Sequence, residues 1–208
     1  MRKIFKPLVV SIARVFSRGG MTPNQASIVM LLCSLAAMIY LVLVPLNYFT
    51  TCIFGILVFW TGLMDGVDGS IARMTSMQTK FGGILDSTLD RASDAIIFFA
   101  PALRQLLRED LVTSTWLDIL VLYNPIWIWS IIAVIGSYIT SYVRARSTVA
   151  DPAIDMDVGL LGRSERLFLL VIGTFMNLVP LFLMIIAILS NGTAIYRLFK
   201  AKSILKNN

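Results

Sequence analysis

The sequence predicts an all-α integral membrane protein: six transmembrane helices preceded by an N-terminal amphipathic helix lying in the membrane interface. Two observations carry that prediction. Of the 208 residues, 57% are hydrophobic, and the mean hydropathy is +0.81. That is too apolar for a soluble domain, and the length accommodates about six spans of roughly 20 residues each. The apolar runs are also separated by short polar breaks, with no internal repeat and no low-complexity tract. Residues 1–208 therefore read as a single membrane domain, with 2–18 as the interfacial helix and 24–200 as the six-helix bundle.

At the N-terminus, Ile4, Phe5, Leu8, Val9, Ile12, Val15 and Phe16 share one helical face, with Lys3, Lys6, Arg14 and Arg18 on or near the other. This is the pattern of a helix resting on anionic headgroups. A signal peptide is the competing reading, but Arg14 interrupts the apolar region and no small-residue cleavage site follows, so an interfacial helix is expected. Gly19-Gly20 breaks the helix, and Thr22-Pro23-Asn24 is a helix start with Thr22 as cap and Pro23 in the first position.

The first span runs over 24–44, the turn Pro45-Leu46-Asn47 follows, and the second span covers 48–74. A third covers 83–106. A polar loop at 107–116, containing Arg108, Glu109 and Asp110, leads to a fourth span over 117–146. That span begins in an aromatic belt (Trp116, Tyr123, Trp127, Trp129) and is kinked by Pro125. The loop 148–162 carries Asp151, Asp155 and Asp157, and spans over 164–178 and 180–200 finish the chain. The fifth is short for a full crossing. Of the eighteen Lys and Arg residues, all except Arg104 and Arg108 fall on one side of this arrangement. The excess of basic residues on that side makes it cytoplasmic and places both termini there. The net charge of +6 is accordingly a topological signal, and nucleic acid is not an expected partner. Cys33 and Cys52 fall in apolar runs, where neither a disulfide framework nor a metal clip is indicated.

Against this apolar background the second and third spans carry D-x2-D-G-x2-A-R-x8-G-x3-D-x3-D, from Asp65 to Asp90. At about 100° per residue, Asp65 and Asp68 share one helical face and Asp86 and Asp90 another, so two adjacent helices can present four carboxylates to each other. Bare acids so placed repel, and at membrane depth they are costly and usually functional. Oxygen-only donors in a chain without His point to Mg²⁺ or Mn²⁺ rather than Zn²⁺. Hard cations of that kind commonly accompany phosphates, and Arg73, five residues past Asp68, can meet the same diphosphate. Gly69, Ala72 and Gly82 lack bulk where a ligand or helix must come close.

These eight fixed positions resemble the signature of the CDP-alcohol phosphotransferases, membrane enzymes that move a substituted phosphate from a CDP-linked donor to an alcohol and release CMP. The resemblance implies that Asp65, Asp68, Asp86 and Asp90 ligate two divalent cations and that Asp90 is the general base. Spacing alone does not separate Asp90 from Asp86 in that last role. It implies too that Asp65, Gly69, Ala72, Arg73 and Gly82 contact the CDP moiety, and that the enzyme is a homodimer in the cell membrane with its site on the cytoplasmic side.

The acceptor is read from other residues. Arg144 and Arg146 close the fourth span, Arg163 and Arg166 open the fifth, and Arg197 faces the same interface from the sixth. Planar, permanently charged forks suit a phosphate dianion, so Arg144, Arg163, Arg166 and Arg197 are candidate acceptor-phosphate ligands, whereas a bland reading makes them headgroup anchors. Gly162-Arg163-Ser164-Glu165-Arg166 also resembles the branch that uses inositol phosphate, the phosphatidylinositol-phosphate and archaetidylinositol-phosphate synthases. The expected donor is CDP-diacylglycerol or CDP-archaeol. Alternatives within the family are di-inositol-phosphate or glycerol-phosphate chemistry. A Mg²⁺ transporter or channel is the non-enzymatic alternative, and it leaves Arg73, Gly69 and the arginine cluster without a role.

Overall fold

The computed structural model describes residues 2–108, 126–151, 159 and 161–207. Among these there are seven helices and no strand: α1 (Arg2–Arg18), α2 (Pro23–Leu43), α3 (Tyr48–Thr75), α4 (Lys80–Arg108), α5 (Ile126–Ala150), α6 (Arg163–Phe175) and α7 (Val179–Asn207). The expected helix start at Thr22 is present as a capping box. The Thr22 hydroxyl accepts from the Gln25 N–H, and the Gln25 side chain accepts from the Thr22 N–H at 2.8 Å. Asn47 caps α3 in the same way through the Thr50 N–H. Helix α3 stops at Ser76, whose φ of 56° is left-handed, and the reversal brings α4 back alongside it.

Several boundaries differ from those read in the sequence. Helix α4 starts at Lys80, because the Thr79 hydroxyl accepts the Gly82 N–H at 2.9 Å and opens the helix before Gly83. Helix α5 continues to Ala150, three residues into the expected loop. The expected start of the fourth span at 117, the Pro125 kink, Trp116, Tyr123, and the loop acids Asp155 and Asp157 lie outside the described residues.

Four helices, α2, α3, α5 and α7, are long and apolar enough to cross a membrane. Helix α4, at 29 residues, is long enough but interrupted by charge. Helix α6, with 13 residues, reaches only about 20 Å at 1.5 Å per residue.

Helix α2 packs between α3 and α4, α4 against α5, α5 against α7, α7 against α6, and α6 closes back on α3. The larger core, with Phe54, Val58, Ile97, Phe98, Leu170, Leu183 and Ile186, fills this ring. Close approach depends on small residues, since a Cβ on Gly55 would lie only 2.0 Å from the Thr174 hydroxyl. A smaller core of Ala13, Ala26, Met30, Met64, Val67 and Ile71 joins α1 to α2 and α3. The face of α1 turned to this core carries Val9, Ile12, Ala13 and Phe16, whereas Leu8 and Val15, expected on the same face, are exposed.

Arg104, one of two basic residues on the sparsely charged side, is 1% exposed. Its Nη1 donates to the carbonyls of Leu41 at 2.5 Å, Val42 at 3.4 Å and Val44, while Arg108 reaches the Leu43 carbonyl at 3.4 Å. The last carbonyls of a helix have no partner within it. Here a cation supplies one where the dipole favours it. Arg104→Leu is expected to destabilise the bundle by about 1–3 kcal/mol, the range for orphaned buried hydrogen-bonding groups. A thermal melt in detergent reads this directly, and an unchanged midpoint would remove Arg104 as the cap of α2.

Candidate active site

Helices α3 and α4 deliver their acids to one place. One carboxylate oxygen each from Asp65, Asp86 and Asp90 lies within 4.8 Å of the other two. The fourth expected ligand, Asp68, is held slightly apart. Its Oδ2 accepts the Ser27 hydroxyl at 2.7 Å, its Oδ1 accepts the Gly69 N–H at 2.5 Å, and it neighbours Asp86. The structure therefore assembles three of the four carboxylates into a triad and gives the other a protein partner from α2. The donor set is all carboxylate, with neither His nor thiolate, and it fits a hard divalent cation of the Mg²⁺ or Mn²⁺ class.

Arg163, at the first position of α6, reaches into this cluster. Its Nη1 contacts Asp65 and lies 2.7 Å from Asp90, and its Nε donates to Asp94 Oδ1 at 2.9 Å. Its Nη2 meets the Met30 sulfur at 3.4 Å. Asp94, one turn beyond Asp90 and outside the signature, is 3% exposed. Its Oδ2 accepts from Arg166 Nη2 at 3.0 Å and from the Ser137 hydroxyl at 2.8 Å. The sequence left Asp94 without a role. Its signal was the continuation of the Asp86, Asp90 stripe at the same four-residue interval.

The other candidates are placed as follows. Arg73 is exposed, lines the cavity beside Gly69 and donates from Nη2 to the Ser70 hydroxyl at 3.3 Å. Gly82 packs against Thr79 and Asn24, where a Cβ would come within 2.9 Å and 3.3 Å of side-chain oxygens. Neither Gly82 nor Ala72 lines the cavity. Arg166 is 1% exposed and directed at Asp94 and the Leu161 carbonyl. Arg197 is buried and donates to the Thr140 carbonyl at 3.0 Å, tying α7 to α5, and Arg144 is exposed near the end of α5. Of the four arginines assigned to an acceptor phosphate, Arg163 contacts the triad acids Asp65 and Asp90, and Arg166 contacts Asp94 beside them.

The carboxylates open into a cavity of about 490 Å³ with two unlike halves. Asp65, Asp68, Asp86, Asp90, Ser70 and Arg73 form the polar end, while Val58, Phe59, Leu63, Leu167, Phe168 and Val171 form the apolar one. Helix α1 supplies a wall that the sequence reading missed, consisting of Phe5, Lys6 and Val9. The Phe5 ring meets Phe59 edge-on at 5.4 Å and lies 6.2 Å from Phe168. Gly66 allows this contact, since a Cβ there would fall 3.0 Å from Val9 Cγ1. A site that is charged at one end and apolar at the other fits an amphiphile with a phosphorylated head.

A family model described as CDP-alcohol phosphatidyltransferase matches residues 20–196, and the chain belongs to that family of phospholipid-synthesising membrane transferases. Archaetidylinositol phosphate synthase from Pyrococcus horikoshii is 34% identical, over 98% of this chain and 95% of its own length. Phosphatidylinositol phosphate synthase from Mycobacterium tuberculosis is 28% identical, over 83% of this chain and 71% of its own. The crystal structure of the latter enzyme with CDP-DAG bound shares the fold, with a TM-score of 0.73 at 24% identity and 94% coverage of both chains. That enzyme has also been solved in complex with manganese and citrate, again at a TM-score of 0.73 and 24% identity, covering 93% of this chain and 88% of that one.

The position of α1 is open to test. Gly66→Leu is expected to overpack the α1–α3 contact, a cost of about 1–3 kcal/mol, and to lift Phe5 and Lys6 from the cavity. The KM for a CDP-linked lipid should rise while the helical circular dichroism signal persists. An unchanged donor KM would mean that α1 does not help to hold the donor.

Proposed function

We propose that this protein transfers the phosphatidyl-type group of CDP-archaeol or CDP-diacylglycerol to a hydroxyl of inositol phosphate and releases CMP. The observation that carries the reading is a carboxylate triad facing an arginine at the polar end of a two-faced cavity, in a chain 34% identical over nearly its whole length to an archaetidylinositol phosphate synthase. Glycerol phosphate as acceptor, or a soluble di-inositol product, would draw on the same triad. The GRSER stretch at the mouth of α6 favours inositol phosphate.

In this reading Asp65, Asp86 and Asp90 hold the divalent cation, Mg²⁺ or Mn²⁺, with Asp68 adjoining as the further ligand of a two-cation site. When bound, the cations screen the diphosphate and polarise it toward attack. The protein's own work is positioning and charge complementarity, which dominate phosphoryl transfer. Arg73 and the Gly69 edge of α3 receive the CDP portion, and the apolar wall takes the start of the lipid chains. Asp90, at the α6 side of the triad, takes the proton of the acceptor hydroxyl. Arg163 reaches the acceptor's own phosphate, and its planar fork is suited to that dianion.

The bundle crosses the membrane six times, with α4 and α6 sheltered by the apolar helices, and α1 lies along the cytoplasmic interface over the cavity mouth. Both termini and the site face the cytoplasm, and the enzyme works as a homodimer.

The test is CMP release by the purified protein with one CDP-lipid and a panel of inositol phosphate, free inositol and glycerol phosphate, with Mg²⁺, Mn²⁺ or chelator. Metal-dependent release with inositol phosphate alone is expected, and release with glycerol phosphate alone would overturn the acceptor. Asp90→Asn should lower kcat by about 10²–10⁴-fold, the usual range for a general base, with CDP-lipid binding retained. Near-normal turnover would remove that role. Arg163→Ala should raise the acceptor KM far more than the donor KM, and equal changes in both would return it to a general electrostatic part.

A further inference from the structure

Asp94 is the most thoroughly engaged buried acid in the molecule and belongs to no part of the signature. It joins three helices: α4 carries it, α5 fixes its Oδ2 through Ser137 at 2.8 Å, and α6 brings both Arg163 and Arg166 to it at 2.9 and 3.0 Å. Holding the Nε edge of Arg163 leaves the two terminal nitrogens to face elsewhere. Nη1 lies on Asp65 and Asp90, two of the three triad acids. Nη2 meets a thioether, a weak acceptor, at 3.4 Å. A guanidinium in this position neutralises the acids as a cation would, so a divalent cation and Nη1 compete for the charge of Asp65 and Asp90. Filling the triad therefore weakens the hold on Nη1, and Asp94 determines where the loosened fork points.

We propose that Asp94 is a positioning residue for the acceptor: it tethers Arg163 by Nε so that Nη1, displaced from Asp65 and Asp90 by the divalent cation, is presented with Nη2 to the acceptor's phosphate. This rests on the acceptor reading above and adds to it an order of events, with the metal first and the acceptor phosphate second. Arg166 serves the tether by completing the charge balance of Asp94 and does not itself contact substrate. Arg166 is 1% exposed and meets Asp94, whereas Arg163 also reaches the triad acids Asp65 and Asp90.

Two measurements test it. The first is steady-state kinetics of Asp94→Asn and Ser137→Ala, the latter removing one of the two donors to Asp94 Oδ2 without changing any charge. The acceptor KM should rise by about 10–100-fold in Asp94→Asn, the usual cost of losing a group that orients a ligand. It should rise less in Ser137→Ala, with the donor KM unchanged in both. Losses in kcat or donor KM with a constant acceptor KM would overturn the tether. The second is Mn²⁺ titration followed by electron paramagnetic resonance, without nucleotide or acceptor. Arg163→Gln should bind Mn²⁺ about tenfold more tightly than wild type, a coupling of ordinary size between two sites. Equal affinity would show that Arg163 does not contend for Asp65 and Asp90, and would overturn the displacement. Wild-type turnover restricted to an unphosphorylated alcohol would defeat the acceptor reading itself. Turnover on inositol phosphate with normal acceptor KM in Asp94→Asn would defeat the tether alone.

Discussion

Neutralising carboxylates at membrane depth is the constraint from which the arrangement of this bundle follows. Asp65, Asp68, Asp86, Asp90 and Asp94 lie together on α3 and α4, and the guanidiniums among them are those of Arg163 and Arg166. Acids outnumber bases, so the ion pairs offset part of the charge and leave a site that attracts divalent cations. The same constraint accounts for helix α6. A segment of 13 residues is too short to be a good span, but it begins beside the acids with two arginines aimed at them.

The fold was largely readable from the chain because most of its elements obey local rules. Thr22 with Gln25, Pro45 to Asn47, and the unbroken apolar runs of α2, α3, α5 and α7 each announce themselves. The helix-face argument also placed Asp65, Asp86 and Asp90 together correctly. Asp68 lies in the same cavity beside Asp86, but its hydrogen bond to Ser27, forty-one residues earlier on another helix, could not be read from helix faces. The sequence reading left Arg104 as an exception to the charge asymmetry because capping the end of α2 is a tertiary event. For the arginines, sequence position did not give direction: Arg163, Arg166 and Arg197 end on a carboxylate cluster, on Asp94 and on a backbone carbonyl of α5.

Helix α1 shows how one pattern can serve two surfaces. Its apolar residues were read as a membrane-facing stripe, yet the structure divides them. Val9, Ile12, Ala13 and Phe16 pack inward on the smaller core, and Leu8 and Val15 stay exposed. Between these faces, Phe5 and Lys6 reach the cavity. A helix that packs on the core, lines the cavity and leaves Leu8 and Val15 exposed joins the wall of the site to an apolar outer surface.

The cavity's two halves impose different demands on the two substrates. A donor lipid can be held by its chains along Phe59, Leu63 and Phe168 before any charge is satisfied, because burial of apolar surface is not directional. A small phosphorylated acceptor has no such hold and depends on charge alone, in a place where the fixed acids oppose it. An anion approaches that cluster more readily once the acids are neutralised. Arg163 is shared between Asp65, Asp90 and Asp94, so on the proposal that it receives the acceptor's phosphate, acceptor binding is linked to the state of the triad. In that respect the pairing of one arginine with three acids is a source of order in the reaction as well as a contribution to the stability of the bundle.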